Sequence, residues 1–246
     1  MLLLENKLIG KRGVLLSQST FAESDFCEEQ IQVTIHNLSE DIEKRKKYYA
    51  LKRIFDFIAS LLAIILLSPL LLLISIIIFL DDPHGNPIFI QKRVGKDGRI
   101  FKFYKFRSMV INAEELLDTL KDRNEKDGPV FKIKKDPRIT RIGSFIRKTS
   151  LDELPQLFNI LKGDMSFVGP RPALPKEVNK YSDFHRQRLL VTPGLTCFWQ
   201  VAPNRDDICF DDWIALDVKY IREQKMLLDF KLIFNTFKAV FTCQGN

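Results

Sequence analysis

The chain has 246 residues, 46% of them hydrophobic and 28% charged, with 38 Lys and Arg against 31 Asp and Glu and a formal charge of +7. That length supports one domain with a core and an appendage, which excludes a disulfide-stapled miniprotein and a disordered tail. The apolar content is uneven: Phe57 to Leu80 reads FIASLLAIILLSPLLLLISIIIFL without a charge, so the chain is neither a simple soluble domain nor a polytopic membrane protein.

The first fifty residues carry no long periodic pattern. Ile31 to Ile35 reads as a short strand and Ser39 to Ala50 as a charged helix, within a polar N-terminal extension (residues 1–50) that has no readable role. The opening MLLLENKLIG is too short an apolar run for a secretory signal. Lys44, Arg45, Lys46, Lys47, Lys52 and Arg53 precede the long apolar run, and Asp81 and Asp82 follow it. A basic cluster in that place favours the cytoplasmic side and anionic lipid.

As one straight helix, Phe57 to Leu80 would be about 36 Å long, enough to cross a bilayer. At its centre stands Ser68-Pro69. Proline has no N–H for the Ile65 carbonyl and crowds it, which predicts a kink, and the Ser68 hydroxyl can soften the loss by bonding the Ile64 carbonyl. Two halves of about 16 Å each could enter and leave by one leaflet as a re-entrant helix-break-helix hairpin, residues 51–82. A kinked spanning helix is the alternative.

Beyond the run the pattern is α+β and mainly helical. Pro87 to Gln91 and Phe101 to Phe106 read as strands joined by the turn Gly95-Lys96-Asp97-Gly98. Helices are expected at Asn112 to Asn124, Leu151 to Leu161, Lys176 to Val191 and Asp211 to Gln224, with a loop at Gly128-Pro129. In Leu227 to Phe241, Lys231, Asn235 and Lys238 share one helical face and Phe230, Ile233, Phe234, Phe237, Val240 and Phe241 lie opposite or beside it. Such a helix can lie in the headgroup layer or pack on the protein's own core.

Cys27, Cys197, Cys209 and Cys243, and His36, His84 and His185, are scattered. They suggest no zinc site, disulfide framework or Ser-His or Cys-His nucleophile, and Walker A and G-x-G-x-x-G patterns are absent. The sharpest candidate is R-K-T-S-L-D-E-L-P-Q, Arg147 to Gln156. Ser150 and Glu153 have the spacing of a capping box, which would set Asp152 and Glu153 in the first turn of a helix. There they would be ordinary stabilisers, worth about 0.3–1 kcal/mol. The same place suits phosphate chemistry: the helix end and a nearby arginine would keep Asp152 ionised for attack, and Glu153 could hold a divalent cation. Lys105, Arg107, Arg147, Arg171 and Arg205 stand at turns around it in sequence, and several converging would suit a diphosphate, although a solvated basic face would look the same. Neither a recognition helix nor an RNP-like aromatic pattern points to nucleic acid.

Gln91 to Met109 (QKRVGKDGRIFKFYKFRSM), Arg147 to Pro172 (RKTSLDELPQLFNILKGDMSFVGPRP) and Thr192 to Val201 (TPGLTCFWQV) together resemble the bacterial sugar transferase family, the monotopic phosphoglycosyl transferases. The likeness runs in order from about Lys52 to the C-terminus. It implies transfer of a sugar-1-phosphate from a UDP-sugar to undecaprenyl phosphate, with release of UMP, as the first step of exopolysaccharide, capsule, O-antigen or glycan assembly. By position in the motif, Asp152 would be the nucleophile and Glu153 would coordinate Mg2+. Arg147 would bind phosphate, and Arg171 and Arg205 would face the nucleotide.

The resemblance also implies the re-entrant hairpin, a catalytic domain over residues 83–246 with interfacial helices, and a monotopic protein on the cytoplasmic face of the bacterial inner membrane. The sequence departs from the family pattern after Trp199-Gln200-Val201, where Ala202-Pro203-Asn204-Arg205 is one residue longer than usual, and at Cys197, where a glycine is expected. The sugar is not indicated, and a homo-oligomer is left open. The competing readings are a non-catalytic membrane scaffold of a polysaccharide assembly complex, with the two carboxylates merely capping a helix, and a basic peripheral protein for nucleic acid or anionic lipid.

Overall fold

The computed structural model describes residues 38–133, 135–202 and 207–241. The strand expected at Ile31 to Ile35 lies outside them. A helical stretch over residues 38–44 turns at Arg45 into α1 (Lys46–Asp81), so the helix expected over Ser39 to Ala50 is divided, and its second part begins the long apolar helix.

α1 runs for 36 residues with Pro69 inside it. The expected break is therefore not an interruption of the helix, and the reason is local. Ser68 Oγ donates to the Ile65 carbonyl at 2.8 Å, the group that Pro69 leaves without an amide donor, rather than to that of Ile64. One face of α1 is covered along its length. Lys52, Asp56, Ser60, Ile74 and Ile78 are buried, and Ala63, Ile64, Leu67, Leu70 and Leu71 join the same stripe by packing on neighbouring clusters, at the three-and-four spacing of a helix face. The other side is bare, with Leu66 79% exposed and Leu62, Ile65 and Leu72 exposed as well.

β1 (Ile88–Val94) and β2 (Ile100–Phe106) form the expected antiparallel hairpin, turned by Asp97 and Gly98 at positive φ. In its register Phe89, Gln91 and Arg93 stand opposite Lys105, Phe103 and Phe101. The helix expected over Asn112 to Asn124 is instead a 3-10 helix, Glu115–Arg123. Its Asp118–Lys121 ion pair at 2.8 Å and the Thr119-to-Leu116 bond are both three residues apart, the spacing at which side chains eclipse in that helix.

α2 (Arg141–Lys148) starts at Thr140, whose hydroxyl accepts from the Gly143 amide. After a 3-10 turn at Leu151–Glu153 comes α3 (Gln156–Lys162). The last carbonyls of α3 are capped from α1, since Arg53 donates to those of Ile160 and Leu161, both at 2.7 Å. β3 (Ser166–Val168) pairs in parallel with β4 (Gly194–Thr196). The long helix expected over Lys176 to Val191 is three short pieces: α4 (Pro175–Val178), α5 (Asp183–Arg186) and a 3-10 turn at Gln187–Leu190. Ser182 caps α5 and restarts the chain in a new direction.

α6 (Phe210–Glu223) and α7 (Met226–Phe241) complete the fold. The largest core cluster gathers Trp213, Ile214, Tyr220 and Ile221 of α6, Leu232 of α7, Val168 of β3 and Trp199, with the two indoles stacked 4.2 Å apart. α7 packs one face on the protein's own core and leaves its phenylalanine face uncovered. Leu232 and Asp229 are buried inward, while Leu227, Phe230, Phe234 and Phe237 stay exposed, Phe234 at 71%. The base of α1 is tied to this pair of helices, where Asp229 receives Lys52 at 2.7 Å, Tyr48 at 2.8 Å and Tyr220 at 2.9 Å.

Candidate active site

The segment expected as one helix over Leu151 to Leu161 is a 3-10 turn followed by α3, and the capping box does not form. Ser150 sits at φ 56°, in the left-handed region, and its hydroxyl caps nothing. With Asp97 it is one of two non-glycine residues at positive φ among the described residues. For a serine that conformation costs about 1–3 kcal/mol and is kept where surrounding contacts over-determine it. Here Leu151 and Leu154 lean on a cluster of Ile74, Ile78, Phe106 and Ile146. The carboxylate turn is thus mounted directly on the second half of α1.

Asp152 is 2% exposed and its Oδ2 lies 2.6 Å from Lys105 Nζ. Lys105 reaches it because residues 101, 103 and 105 of β2 share a face. Phe101 and Phe103 are buried on that face and the lysine continues their row. The height of the strand is set by Asn159 of α3, which accepts from the Tyr104 amide at 3.0 Å and donates to the Lys102 carbonyl at 2.6 Å. Burial pushes the Asp152 carboxyl above the usual carboxylate range, against the pull of Lys105 and with the repulsion of Glu153 added. The helix expected to begin at this point is a single 3-10 turn with Asp152 and Glu153 in it. No α-helix starts there, and Lys105 is the nearest counter-charge.

Glu153 is more open. Its Oε1 lies 3.9 Å from Lys105 and 3.6 Å from Arg171 Nη1. Arg147, at the end of α2, is near enough that its charge favours the ionised form of Asp152. So Lys105 and Arg171 meet the two carboxylates, and Arg147 acts on Asp152 from further off. Arg107 does neither. It pairs with Asp82 at 3.3 Å and donates to the Ile78 and Asp82 carbonyls, holding the far end of α1. Arg205 lies outside the described residues.

One basic residue of the site escaped the sequence reading. Arg93 stacks on Phe103 at 5.2 Å and donates to the Pro172 carbonyl at 3.0 Å. Burial, with the Arg171 guanidinium beside it, pulls Arg93 down to about 10. The available signal was its place in Gln91-Lys92-Arg93-Val94, on the strand face that the register sets opposite Phe101.

Two carboxylates beside convergent cations can hold a phosphate group on one side and offer a nucleophile on the other. Among the described residues no three carboxylate, imidazole or thiol ligands come together for a metal. Magnesium does not need such a cage, since it is commonly held by one or two carboxylates plus substrate phosphates and water. The open Glu153 carboxylate fits that habit.

Residues 47–243 match the family described as bacterial sugar transferase. The chain is 43% identical over 194 residues to a galactosyl transferase of Streptococcus agalactiae, covering 79% of this chain and 43% of that protein. It is 41% identical over 221 residues to the undecaprenyl-phosphate galactose phosphotransferase of Salmonella typhimurium, covering 87% and 45%. To an exopolysaccharide production protein of Sinorhizobium fredii it is 39% identical over 199 residues, covering 79% and 87%. The chain thus spans under half the length of the first two relatives and most of the third. With Lys105 and Arg171 gathered at Asp152 and Glu153 and a family match that covers most of its length, this chain belongs to the bacterial sugar transferase family.

Proposed function

We propose that the chain transfers a sugar-1-phosphate from a UDP-sugar to undecaprenyl phosphate, through a covalent phosphosugar intermediate on Asp152. The observation that carries this reading is the Asp152–Lys105 contact at 2.6 Å, on a turn whose flanking leucines rest against the apolar helix. A nucleophile among cations, placed beside a membrane element, suits a charged donor from water and a lipid acceptor from the bilayer.

In the first half-reaction an Asp152 carboxylate oxygen attacks the phosphorus that carries the sugar. The bond from that phosphorus to the bridging oxygen breaks, and UMP leaves. In the second, a phosphate oxygen of undecaprenyl phosphate attacks the same phosphorus, and the acyl phosphate bond breaks to return the carboxylate. Lys105 steadies the carboxylate beforehand and is placed to follow the charge onto the phosphoryl oxygens, and Arg171 and Arg147 would hold the diphosphate. Glu153 would hold Mg2+, which supplies charge neutralisation on the phosphates when bound.

A re-entrant placement of α1, which stays helical through Pro69 instead of breaking into two, is supported by contacts at both of its ends with one folded body. Lys52 and Arg53 bind α7 and α3, and Asp82 binds Arg107 just beyond β2. A helix crossing the bilayer would separate those ends by its full thickness. The bare side of α1 and the exposed phenylalanine face of α7 supply apolar surface for lipid, and the basic cluster before α1's apolar stretch favours the cytoplasmic face. A Ser150–Glu153 capping box, with which the scaffold reading would explain the two carboxylates, is not formed.

The test is incubation of the full chain in lipid with a panel of UDP-sugars, undecaprenyl phosphate and Mg2+, reading UMP release. One or more donors should give UMP, and Asp152→Asn should lower release at least about a thousandfold while the protein still folds and stays with membranes. Turnover retained in that variant would sink the nucleophile assignment. Cysteine labelling should find both flanks of Phe57 to Leu80 on the cytoplasmic side, and labelling from opposite sides would overturn the hairpin.

A further inference from the structure

The loop that follows β3 is held from several directions. From Val168 to Ala173 every residue is buried except Arg171. Pro170 and Pro172 have fixed φ and no amide hydrogen, and the loop's carbonyls are taken one by one. Pro170 O accepts from the Gly194 amide at 2.9 Å, Arg171 O from Arg188 at 3.0 Å, Pro172 O from Arg93 at 3.0 Å and Ala173 O from the Val94 amide at 2.9 Å. Gly169 donates to the Thr196 carbonyl at 3.0 Å. The backbones pass so closely that a Cβ on Gly194 would stand 2.0 Å from the Gly169 nitrogen.

Arg188 is the unusual member of this set. It is 5% exposed, lies 2.7 Å from an Asp217 carboxylate that is wholly buried, and donates to Tyr181 Oη at 3.1 Å. An apolar pair of the same volume would fill that space at least as well, since burying two charges costs about as much as their attraction returns. What an apolar pair would not do is grip the carbonyl of Arg171.

Resting on the reading of the Asp152–Glu153 site given above, we propose that Arg188, oriented by Asp217 and Tyr181, is a positioning residue that sets the Arg171 guanidinium over Glu153 to receive the donor's diphosphate. It touches no substrate itself. It acts through the Arg171 backbone, and the fork geometry of a guanidinium lets it hold carboxylate, hydroxyl and carbonyl at once.

Arg188→Lys keeps a positive charge against Asp217 but lacks the fork. With the full chain in lipid, and the UDP-sugar it turns over, this variant should raise the donor KM about tenfold and change kcat less than about threefold. The KM for undecaprenyl phosphate should not move. A merely structural role would lower the active fraction, and so kcat, without moving KM. In an Arg171→Ala background, Arg188→Lys should add nothing to the donor KM, because the group it positions is gone. An unchanged KM with Arg171 present, or an equal further rise without it, overturns the proposal.

A chain that releases UMP from no donor defeats the transferase reading instead, and hydrogen exchange then reads the clamp directly. Faster exchange of the Gly169 and Gly194 amides in Arg188→Lys supports it, and unchanged exchange overturns it.

Discussion

Asp152 and Asp217 are both carboxylates folded inside against one basic side chain, and they are held in opposite ways. Asp217 sits mid-helix in α6 at 0% exposure, and its partner Arg188 is nearly as sealed. Asp152 is as deep, but Lys105 keeps 20% of its side-chain surface in solvent, and Glu153 and Arg171 beside it keep 21% and 35%. Lysine is a point charge on a flexible stem and can turn from a carboxylate to an arriving phosphate. Arg188 is committed to an ion-pair partner and two hydrogen-bond acceptors together and cannot leave one without disturbing the others. The same pairing of charges thus makes a working site where one partner is open and a fixed mount where both are closed.

The sharpest way to break this contrast is to remove the basic partner on each side. Arg188→Met leaves the Asp217 carboxylate buried without a counter-charge and should cost about 3–5 kcal/mol, read by thermal or denaturant unfolding. Combining it with Asp217→Leu should recover most of that loss, because neither charge then remains. A single variant as stable as the parent would show that the pair is not a closed mount. Lys105→Met should behave the other way round. Unfolding should move by less than for Arg188→Met, because water can reach Asp152 through the space that the half-open lysine leaves, whereas kcat should fall about a hundredfold with the loss of a group that meets developing charge. A large stability loss with normal turnover would reverse the assignment of the two pairs. Between them lies Gly194→Ala, which drives a Cβ against the Gly169 amide. It should cost about 1–3 kcal/mol and raise the donor KM through the same loop.

How much of this was legible in the sequence depends on how far each contact reaches along the chain. The hairpin was readable, because Gly95-Lys96-Asp97-Gly98 is a local turn signal, although the first strand runs on from Gln91 to Val94 and its register shows only in the structure. The apolar helix and the phenylalanine face of α7 were readable for the same reason. The carboxylates were found by motif, yet their local setting was not. A left-handed Ser150 is imposed by Leu151 and Leu154 docking on α1, and docking does not show in a four-residue spacing. Lys105 was named only as one of several cations, since nothing local says that it meets a carboxylate 47 positions on. Arg93, Arg188 and Asp217 were missed because each looks like a surface charge until the partner that buries it is known.

The smallest expected effect is the pH dependence of the closed pair. Burial pushes Asp217 from 3.8 up to about 6, with Arg188 opposing. Between those values the folded chain holds a proton that the unfolded chain has lost, so this group favours folding at low pH, and that contribution is lost as pH rises through about 6. Asp136 works in the opposite sense. Burial would raise it, but its bonds to Arg138 outweigh that and hold its carboxyl low, so its contribution is lost only as pH falls. Comparing the parent with the variant carrying both Arg188→Met and Asp217→Leu cancels Asp136 and every other shared group. The parent should lose stability relative to that variant as pH is raised from about 4 to about 7, most of the change falling below about 6. A difference that stays flat across this range would mean that Asp217 titrates alike in the folded and unfolded chain, and that its seal is far looser than a fully buried carboxylate requires.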